Sequence, residues 1–291
     1  PIATATDLQS LQQKLLTIPD NTLRFHARRN HFSKWLNARA LFPVAQMFKY
    51  IREEDFNTMD ELRKFLYVAI SSFRFGKGRG VIAKFDKTSF DEYQIFSRIG
   101  DGSIGGKARG LAFINRIIKN NKLFNKFPGV LITIPRTVVL STDVFDDFMD
   151  HNNLYSVPLS DLSDDEILNR FINAELPGHV YQDLYAFLAV SKNFPIAIRS
   201  SSKLEDSHYQ PFAGIYSTYM IPRISDNKMM IKMLSDAIKE VYASVYYKAS
   251  KAYMTATANV IDEERMGIIL QEVCGNPHGG IYYPTLSGVA R

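Results

Sequence analysis

Cysteine is almost missing from this chain. Among 291 residues there is one, Cys274, so neither an internal disulfide framework nor a cysteine-based zinc site can form. A lone thiol fits a reducing compartment, and the expectation is a cytoplasmic protein. Also missing is any apolar run of the roughly 20 residues that a membrane helix needs. The start, Pro1 to Gln13, is polar and lacks the apolar core of a secretory signal. His26, His31, His151, His179, His208 and His278 fall at spacings that fail the usual zinc patterns, and each reads as a structural or surface histidine. No internal repeat or low-complexity segment is present. The ends lack something too: Pro1 is not an initiator methionine, and Arg291 closes an extended run, Thr285 to Ala290, that reads as an unfinished strand. The expectation is an excised piece whose upstream and downstream domains are missing.

What is present is ordinary in bulk. An apolar fraction of 46% is enough for a sizeable core, and the length allows two domains or one large one. The formal charge of +5 is compatible with anionic ligands, yet too mild to choose among nucleotides, nucleic acid and acidic lipid.

From Asp7 to about Phe73 the pattern is helical: Leu8, Leu11, Leu15 and Leu16 recur at helix spacing, then Phe32, Trp35 and Leu36, then Leu62, Leu66 and Ile70. Pro19 and Pro43 punctuate it. The glycine-basic stretch Phe75-Gly76-Lys77-Gly78-Arg79-Gly80 separates this region from the rest, which places a boundary near residue 85: a helical accessory segment over 1–85 and a second domain over 86–291. Beyond it, strand-like runs alternate with helices. The runs are Tyr93–Ile99, Arg136–Leu140, Ile196–Arg199, Tyr216–Ile221, Ile268–Val273 and Thr285–Ala290. One long helix is expected from Asn227 to about Ala258, N-capped by Asp226, with a core-facing stripe of Met230, Leu234, Ala237, Val241 and Val245.

Two constellations carry chemistry. The first is Gly100-Asp101-Gly102-Ser103-Ile104-Gly105-Gly106-Lys107, between a strand-like run and the amphipathic run Ala108–Ile118. Glycines let backbone N–H groups approach a phosphate, the helix N-terminus adds positive potential, and lysine supplies a full charge. The cluster fails three common patterns. A P-loop needs glycine at Asp101 and a hydroxyl at Ala108; a dinucleotide fold needs an acid near Asn120 and Asn121; a protein-kinase loop continues as a strand. The plainer alternative is a helix entry turned by glycines with Lys107 solvated. The second constellation is Ile198-Arg199-Ser200-Ser201-Ser202-Lys203-Leu204-Glu205-Asp206, followed by Phe212-Ala213-Gly214. An arginine fork suits two oxygens of one phosphate, and serine hydroxyls can take others. The plainer alternative is a surface turn with Arg199 paired to Glu205 or Asp206.

Together these segments resemble the nucleotide-binding domain of the phosphoenolpyruvate synthase and pyruvate phosphate dikinase family, which has an ATP-grasp fold. Ile104 to Leu111 is similar to the family's glycine-lysine entry, and Ile134-Pro135 with Thr137 to Leu140 to its next strand. Ile198 to Ser202 with Glu205-Asp206 and Phe212-Ala213-Gly214 resembles its arginine-serine loop and lid. Ile269-Leu270-Gln271-Glu272-Val273, then Ser287-Gly288-Val289, resembles its hinge strand and the strand after it. The arginine-serine segment is the specific one, and the likeness spans roughly residues 90 to 291.

The resemblance implies an α+β chain: an ATP-grasp-like domain of mixed sheets with flanking helices, preceded by a helical segment. It implies that Gly105, Gly106, Lys107 and Arg199 meet ATP phosphates, that Gly214 and Thr218 lie in the lid, and that the backbone of Gln271, Glu272 and Val273 meets the adenine edge. The implied parent moves phosphate from ATP through a histidine to pyruvate or a similar acceptor. The family's acidic magnesium ligands lie beyond the segment matching Ser287 to Val289, so Mg2+ is expected only in the full-length parent. The carrier histidine sits in a separate domain, and no histidine here has its context, so no catalytic residue is assigned. Charge-assisted hydrogen bonds from Lys107 and Arg199 contribute about 1.5–3 kcal/mol each, whereas micromolar affinity needs about 8 kcal/mol. This piece is therefore expected to bind ATP weakly or not measurably and to turn none over. The alternative function is a non-catalytic nucleotide-sensing or regulatory domain.

The front segment has no counterpart in that family's core. Between Asp20 and Glu53 there is no acid, while Arg24, Arg28, Arg29, Lys34, Arg39, Lys49 and Arg52 interleave with Phe25, Phe32 and Trp35. That composition admits a nucleic-acid module. Because no nucleic-acid-binding motif accompanies it, the favoured reading is a helical linker with inward aromatics and a basic face that pairs with another domain.

Overall fold

Leucines three and four apart turn the front of the chain into helices, as their spacing predicts. The computed structural model describes residues 2–78, 82–87, 93–127, 130–191, 194–202, 214–257 and 264–289. They fall into two units, Pro1–Gly78 and Arg79–Arg291. The sequence reading set the boundary near residue 85, whereas Ala83 and Lys84 already pair with Ser97 and Arg98 of the second unit.

The first unit holds α1 (Leu8–Leu15), α2 (Asp20–Arg28), α3 (His31–Asn37), α4 (Phe42–Lys49) and α5 (Met59–Gly78). Asp7 caps α1, its Oδ1 accepting from the Ser10 N–H at 2.7 Å. Leu11, Leu15, Leu23, Leu36, Phe48, Leu62, Leu66 and Ile70 close into one core, and the buried Ser33 hydroxyl donates to the Ala45 carbonyl at 2.8 Å. The acid-free stretch spends part of its charge inside this unit. Arg24 and Arg28 hold the two oxygens of Glu53 at 2.7 and 2.6 Å, while Arg29 lies 3.9 Å over Phe25 and Arg39 3.8 Å over Trp35. Phe32 and Trp35 pack against the core as expected. Phe25, 46% exposed, does not.

The second unit runs β1 (Ala83–Lys84), β2 (Phe96–Ile99), α6 (Gly105–Asn120), β3 (Thr137–Leu140), α7 (Thr142–His151), α8 (Asp164–Asn173) and α9 (Gly178–Val190). It continues with β4 (Ile196–Ser202), β5 (Thr218–Ile221), α10 (Asn227–Ser244), α11 (Lys248–Ala256), β6 (Met266–Glu272), β7 (Asn276–His278) and β8 (Ile281–Tyr283). Six strands form one mixed sheet in the order β1-β2-β3-β6-β4-β5. The first three are parallel, and β6, β4 and β5 join antiparallel. This is the α+β architecture that the resemblance implies. Successive side chains of a strand point to opposite faces. Val138, Leu140, Ile196, Ile198, Ile268 and Leu270 accordingly enter one core with Phe145 and Phe148 of α7 and Leu234, Ile238 and Tyr242 of α10.

Two expectations are corrected, and one element was not foreseen. The helix begun at Asn227 stops at Ser244, because Tyr247 turns extended (φ −65°, ψ 156°) and the Ser250 hydroxyl takes the Ser244 carbonyl at 2.6 Å. The Asp226 cap is as expected, accepting from the Lys228 and Met229 N–H groups at 2.8 and 3.2 Å. Residues 285–289 form no strand: among the described residues they have no ladder partner, and Leu286 and Val289 are 89% and 87% exposed. The unforeseen element is the hairpin β7–β8, which the sequence reading missed although Gly279 and Gly280, at φ 56° and 90°, make the two-residue turn that favours it. No helix among the described residues is long and apolar enough to cross a membrane.

Candidate functional site

Register builds the site. Arg98 pairs with Val139, Val139 with Ile269, Ile269 with Arg199 and Arg199 with Thr218, so one cross-strand row carries an arginine at position 199 beside Thr218. The next row on the same face pairs Thr137, Gln271 and Ala197. Arg199, Thr218 and Gln271 therefore share a face, opposite the main core. Gln271 is buried, and its amide donates to Thr137 Oγ1 at 3.1 Å. The Arg199 guanidinium is half-buried and has no hydrogen bond or ion pair among the described residues. Glu205 and Asp206, the acids that would pair with it in a plain surface turn, lie outside the described residues, as do Phe212 and Ala213. Gly214 is exposed at φ 82°.

Lys107 arrives from another element. It lies in the first turn of α6, whose N-terminus docks on the end of β4, and its ammonium donates to Ser200 Oγ at 3.1 Å. Ser200 is the neighbour of Arg199 on the strand. Folding thus brings two cations far apart in sequence to adjacent positions of β4. Strand alternation puts the Ser200 and Arg199 side chains on opposite faces, while Ser201, which also holds the start of α6, shares the face of Arg199. Docking depends on Ser201 and Gly105. The Ser201 hydroxyl donates to the Ile104 carbonyl at 2.8 Å and accepts from the Ala108 N–H at 3.1 Å. Gly105 sits at φ 72° with its backbone against Ser201: an added Cβ would lie 1.7 Å from the Ser201 carbonyl oxygen. Glycine is required there because both the space and the backbone angle exclude a side chain.

The glycine loop itself is not an open cradle. The Asp101 N–H donates to Asp143 Oδ2 at 2.7 Å and the Ser103 N–H to Thr142 Oγ1 at 3.0 Å. The Gly105 N–H turns to Ser103 Oγ at 3.3 Å. The loop's carbonyl side is held by Arg98, which donates to the Asp101 carbonyl at 2.9 Å, and Lys84 pairs with the Asp101 carboxylate at 2.7 Å. The N–H groups of Asp101 and Ser103 thus serve the junction with α7, and that of Gly105 is taken within the loop. The Asp143 carboxyl shows the balance. Burial alone would raise its pKa, but the Asp101 amide, the Ser141 hydroxyl and the Gly102 amide outweigh burial and hold it below the ordinary range.

The backbone from Gln271 to Val273 is similarly engaged. The Glu272 N–H donates to the Arg136 carbonyl and the Val273 N–H to the Pro195 carbonyl, both at 2.9 Å. The Tyr282 hydroxyl donates to the Val273 carbonyl at 3.1 Å. The Glu272 side chain points away from Gln271, where its Oε1 accepts from the Ser191 hydroxyl at 2.7 Å and pairs with Arg136 at 3.2 Å. The sequence reading missed Asp143, Thr142, Ser201 and Tyr282 as organisers of this region. For Ser141-Thr142-Asp143 the cap-like composition at a helix start was a visible signal. Nothing in the sequence marked Tyr282.

The fold is that of an α+β domain: a mixed sheet with Arg199 unpaired among the described residues on one face, and a lysine-bearing helix start docked on the end of the same strand. Residues 101–291 match the family described as pyruvate phosphate dikinase, AMP/ATP-binding domain. That is well over half of the chain, and the chain belongs to this family. It is also 25% identical over 152 residues to the uncharacterized phosphotransferase YvkC of Bacillus subtilis (strain 168). The alignment covers 52% of this chain and 17% of that protein, so the chain spans a small part of that relative. A phosphotransferase-like ATP-binding domain is what these likenesses support.

Proposed function

We propose that the second unit is the ATP-binding part of a phosphotransferase that resembles phosphoenolpyruvate synthase and pyruvate phosphate dikinase. In such a parent, phosphate passes from ATP through a histidine of another domain to pyruvate or a similar acceptor. Lys107 and Arg199 are the phosphate contacts. Gly105 and Gly106 serve by letting the α6 N-terminus, with its positive potential, sit at the end of β4. Thr218 and Gly214 belong to the covering segment, and Gln271 to Val273 to the base edge. The observation that carries the reading is Arg199, half-buried on the sheet face with no partner among the described residues, because a desolvated guanidinium calls for an anion.

What these residues do in that role is bind and neutralise charge, which stabilises the transferring phosphoryl group without covalent chemistry from the chain. Magnesium in the parent would be held by groups outside this chain; among the described residues no three histidine, cysteine or carboxylate groups gather. A second reading is nucleotide sensing without catalysis; under either reading the amides of residues 101, 103, 272 and 273 are already engaged and would have to exchange partners to meet a nucleotide.

Calorimetry with ATP, with and without magnesium, tests the site. Lys107→Met and Arg199→Met should each weaken binding by about 1.5–3 kcal/mol, roughly ten- to a hundredfold. Equal heats from wild type and both variants would reject it. Binding that is lost in the variants, from a parent that shows no ATP-dependent phosphoryl transfer, would select the sensing reading.

A further inference from the structure

The helical unit holds a cavity of about 750 Å3, within the range of about 300–1,000 Å3 typical of small-molecule pockets. It is lined by Leu11, Ile18, Phe25, Phe32 and Trp35, with Lys14 among them. One stretch of wall is polar. His26 and His31 place their Nδ1 atoms 3.0 Å apart, a distance at which one ring donates its N–H and the other accepts, so at least one of the two is neutral. Burial first, then the nearby His31 and Arg29 charges, lowers the His26 pKa and favours its uncharged form. The wall is thus aromatic and largely uncharged.

Cations accompany it. Lys14 lines the cavity itself, and Arg29 lies over the Phe25 ring and Arg39 over the Trp35 ring, both rings being part of the lining. Arg29, Arg39 and Lys14 form no ion pair among the described residues, whereas Arg24 and Arg28 are consumed by Glu53. The sequence places no acid between Asp20 and Glu53 to compensate them. An aromatic cavity lined by a lysine without an ion pair, with two more such cations against its rings, is complementary to a molecule with an apolar body and a negative group.

We propose that this cavity binds a small organic anion with an apolar, ring-bearing body, the rings packing against Phe25, Phe32 and Trp35 and the anionic group facing Lys14, Arg29 and Arg39. The site is separate from the one assigned to ATP and stands whether or not that assignment holds.

Trp35 is the single tryptophan of the chain, so its indole N–H gives one resonance in a nitrogen-15 spectrum of the full chain. Naphthalene-2-carboxylate is titrated against the matched neutral 2-naphthylmethanol and the cation 2-naphthylmethylammonium. A saturable shift of that resonance is expected with the carboxylate, about tenfold weaker affinity for the alcohol, and no saturation with the ammonium. Lys14→Glu and Arg39→Glu should each weaken carboxylate binding several-fold while leaving the circular dichroism unchanged. Thr22→Phe, which fills the cavity from α2, should abolish the shift. Equal affinity for all three compounds, no shift at millimolar carboxylate, or an undiminished shift in Thr22→Phe would overturn the proposal. So would a shift that follows protein concentration without added compound, because the cavity would then be covered by a second copy.

Discussion

Two alanines on the same helix should act in opposite directions. At Gly105 an added Cβ would stand 1.7 Å from the Ser201 carbonyl oxygen and 2.4 Å from its carbon. These are backbone atoms of a central strand and cannot rotate away. The left-handed angle of Gly105, φ 72°, adds about 1–2 kcal/mol for an L-residue. Relief requires the start of α6 to withdraw from β4, which breaks the two hydrogen bonds of the Ser201 hydroxyl, at about 0.5–1.5 kcal/mol each. Gly105→Ala should therefore destabilise the second unit by about 2–5 kcal/mol. At Gly110, five residues along, nothing lies within 4 Å of an added Cβ. There alanine only reduces the freedom of the unfolded chain, and Gly110→Ala should stabilise by about 0.5–1 kcal/mol. Urea unfolding followed by far-ultraviolet circular dichroism measures both. A Gly105→Ala midpoint equal to or above that of Gly110→Ala would refute the docking argument.

Two more expectations concern the same junction. Ser201→Ala leaves the Ala108 N–H and the Ile104 carbonyl without their buried partner, and a loss of about 1–3 kcal/mol is expected in the same urea assay; a loss below the experimental error would mean that water or a neighbour replaces the hydroxyl. Asp143 has its folded pKa held below the unfolded value, so its charge adds stability that is complete above the ordinary carboxylate range, near pH 4, and lost as pH falls through the folded value. Asp143→Asn should therefore lower stability at neutral pH and flatten the acid limb of the pH–stability curve, and an unchanged limb would show that Asp143 is not a determinant of it.

Much of the architecture was legible because it follows from local pattern. Leucine spacing announced the front helices, Asp226 its cap, and β-rich runs most of the strands, each an arrangement settled by residues within a few positions of one another. Lengths were less legible: β4 continues through Ser202 because β6 offers Gly267 and Met266 to pair with Ser201 and Ser202, and a serine run does not advertise a strand. The break after Ser244 was hidden for a similar reason, since the apolar stripe continues across it while the Ser250 hydroxyl ends the helix from six residues away.

For the candidate site, residue types and their order in the chain were enough to single out Lys107, Arg199 and the glycine entry, because phosphate chemistry asks for such groups wherever they stand. Which of them share a face, and which amides are already taken, depended on register and on contacts between residues 40 to 100 positions apart, such as Asp101 with Asp143 and Lys107 with Ser200. A hydrogen-bond donor is available to a ligand only after the fold has claimed its own share. Composition and spacing determined that this chain would make helices, then interleaved strands and helices, with an anion-seeking lysine and arginine. Tertiary packing alone decided that the glycine loop grips α7, that Tyr282 reaches the Val273 carbonyl, and that Arg199 is left without a partner among the described residues, because those outcomes rest on pairings between segments that carry no information about each other until they meet.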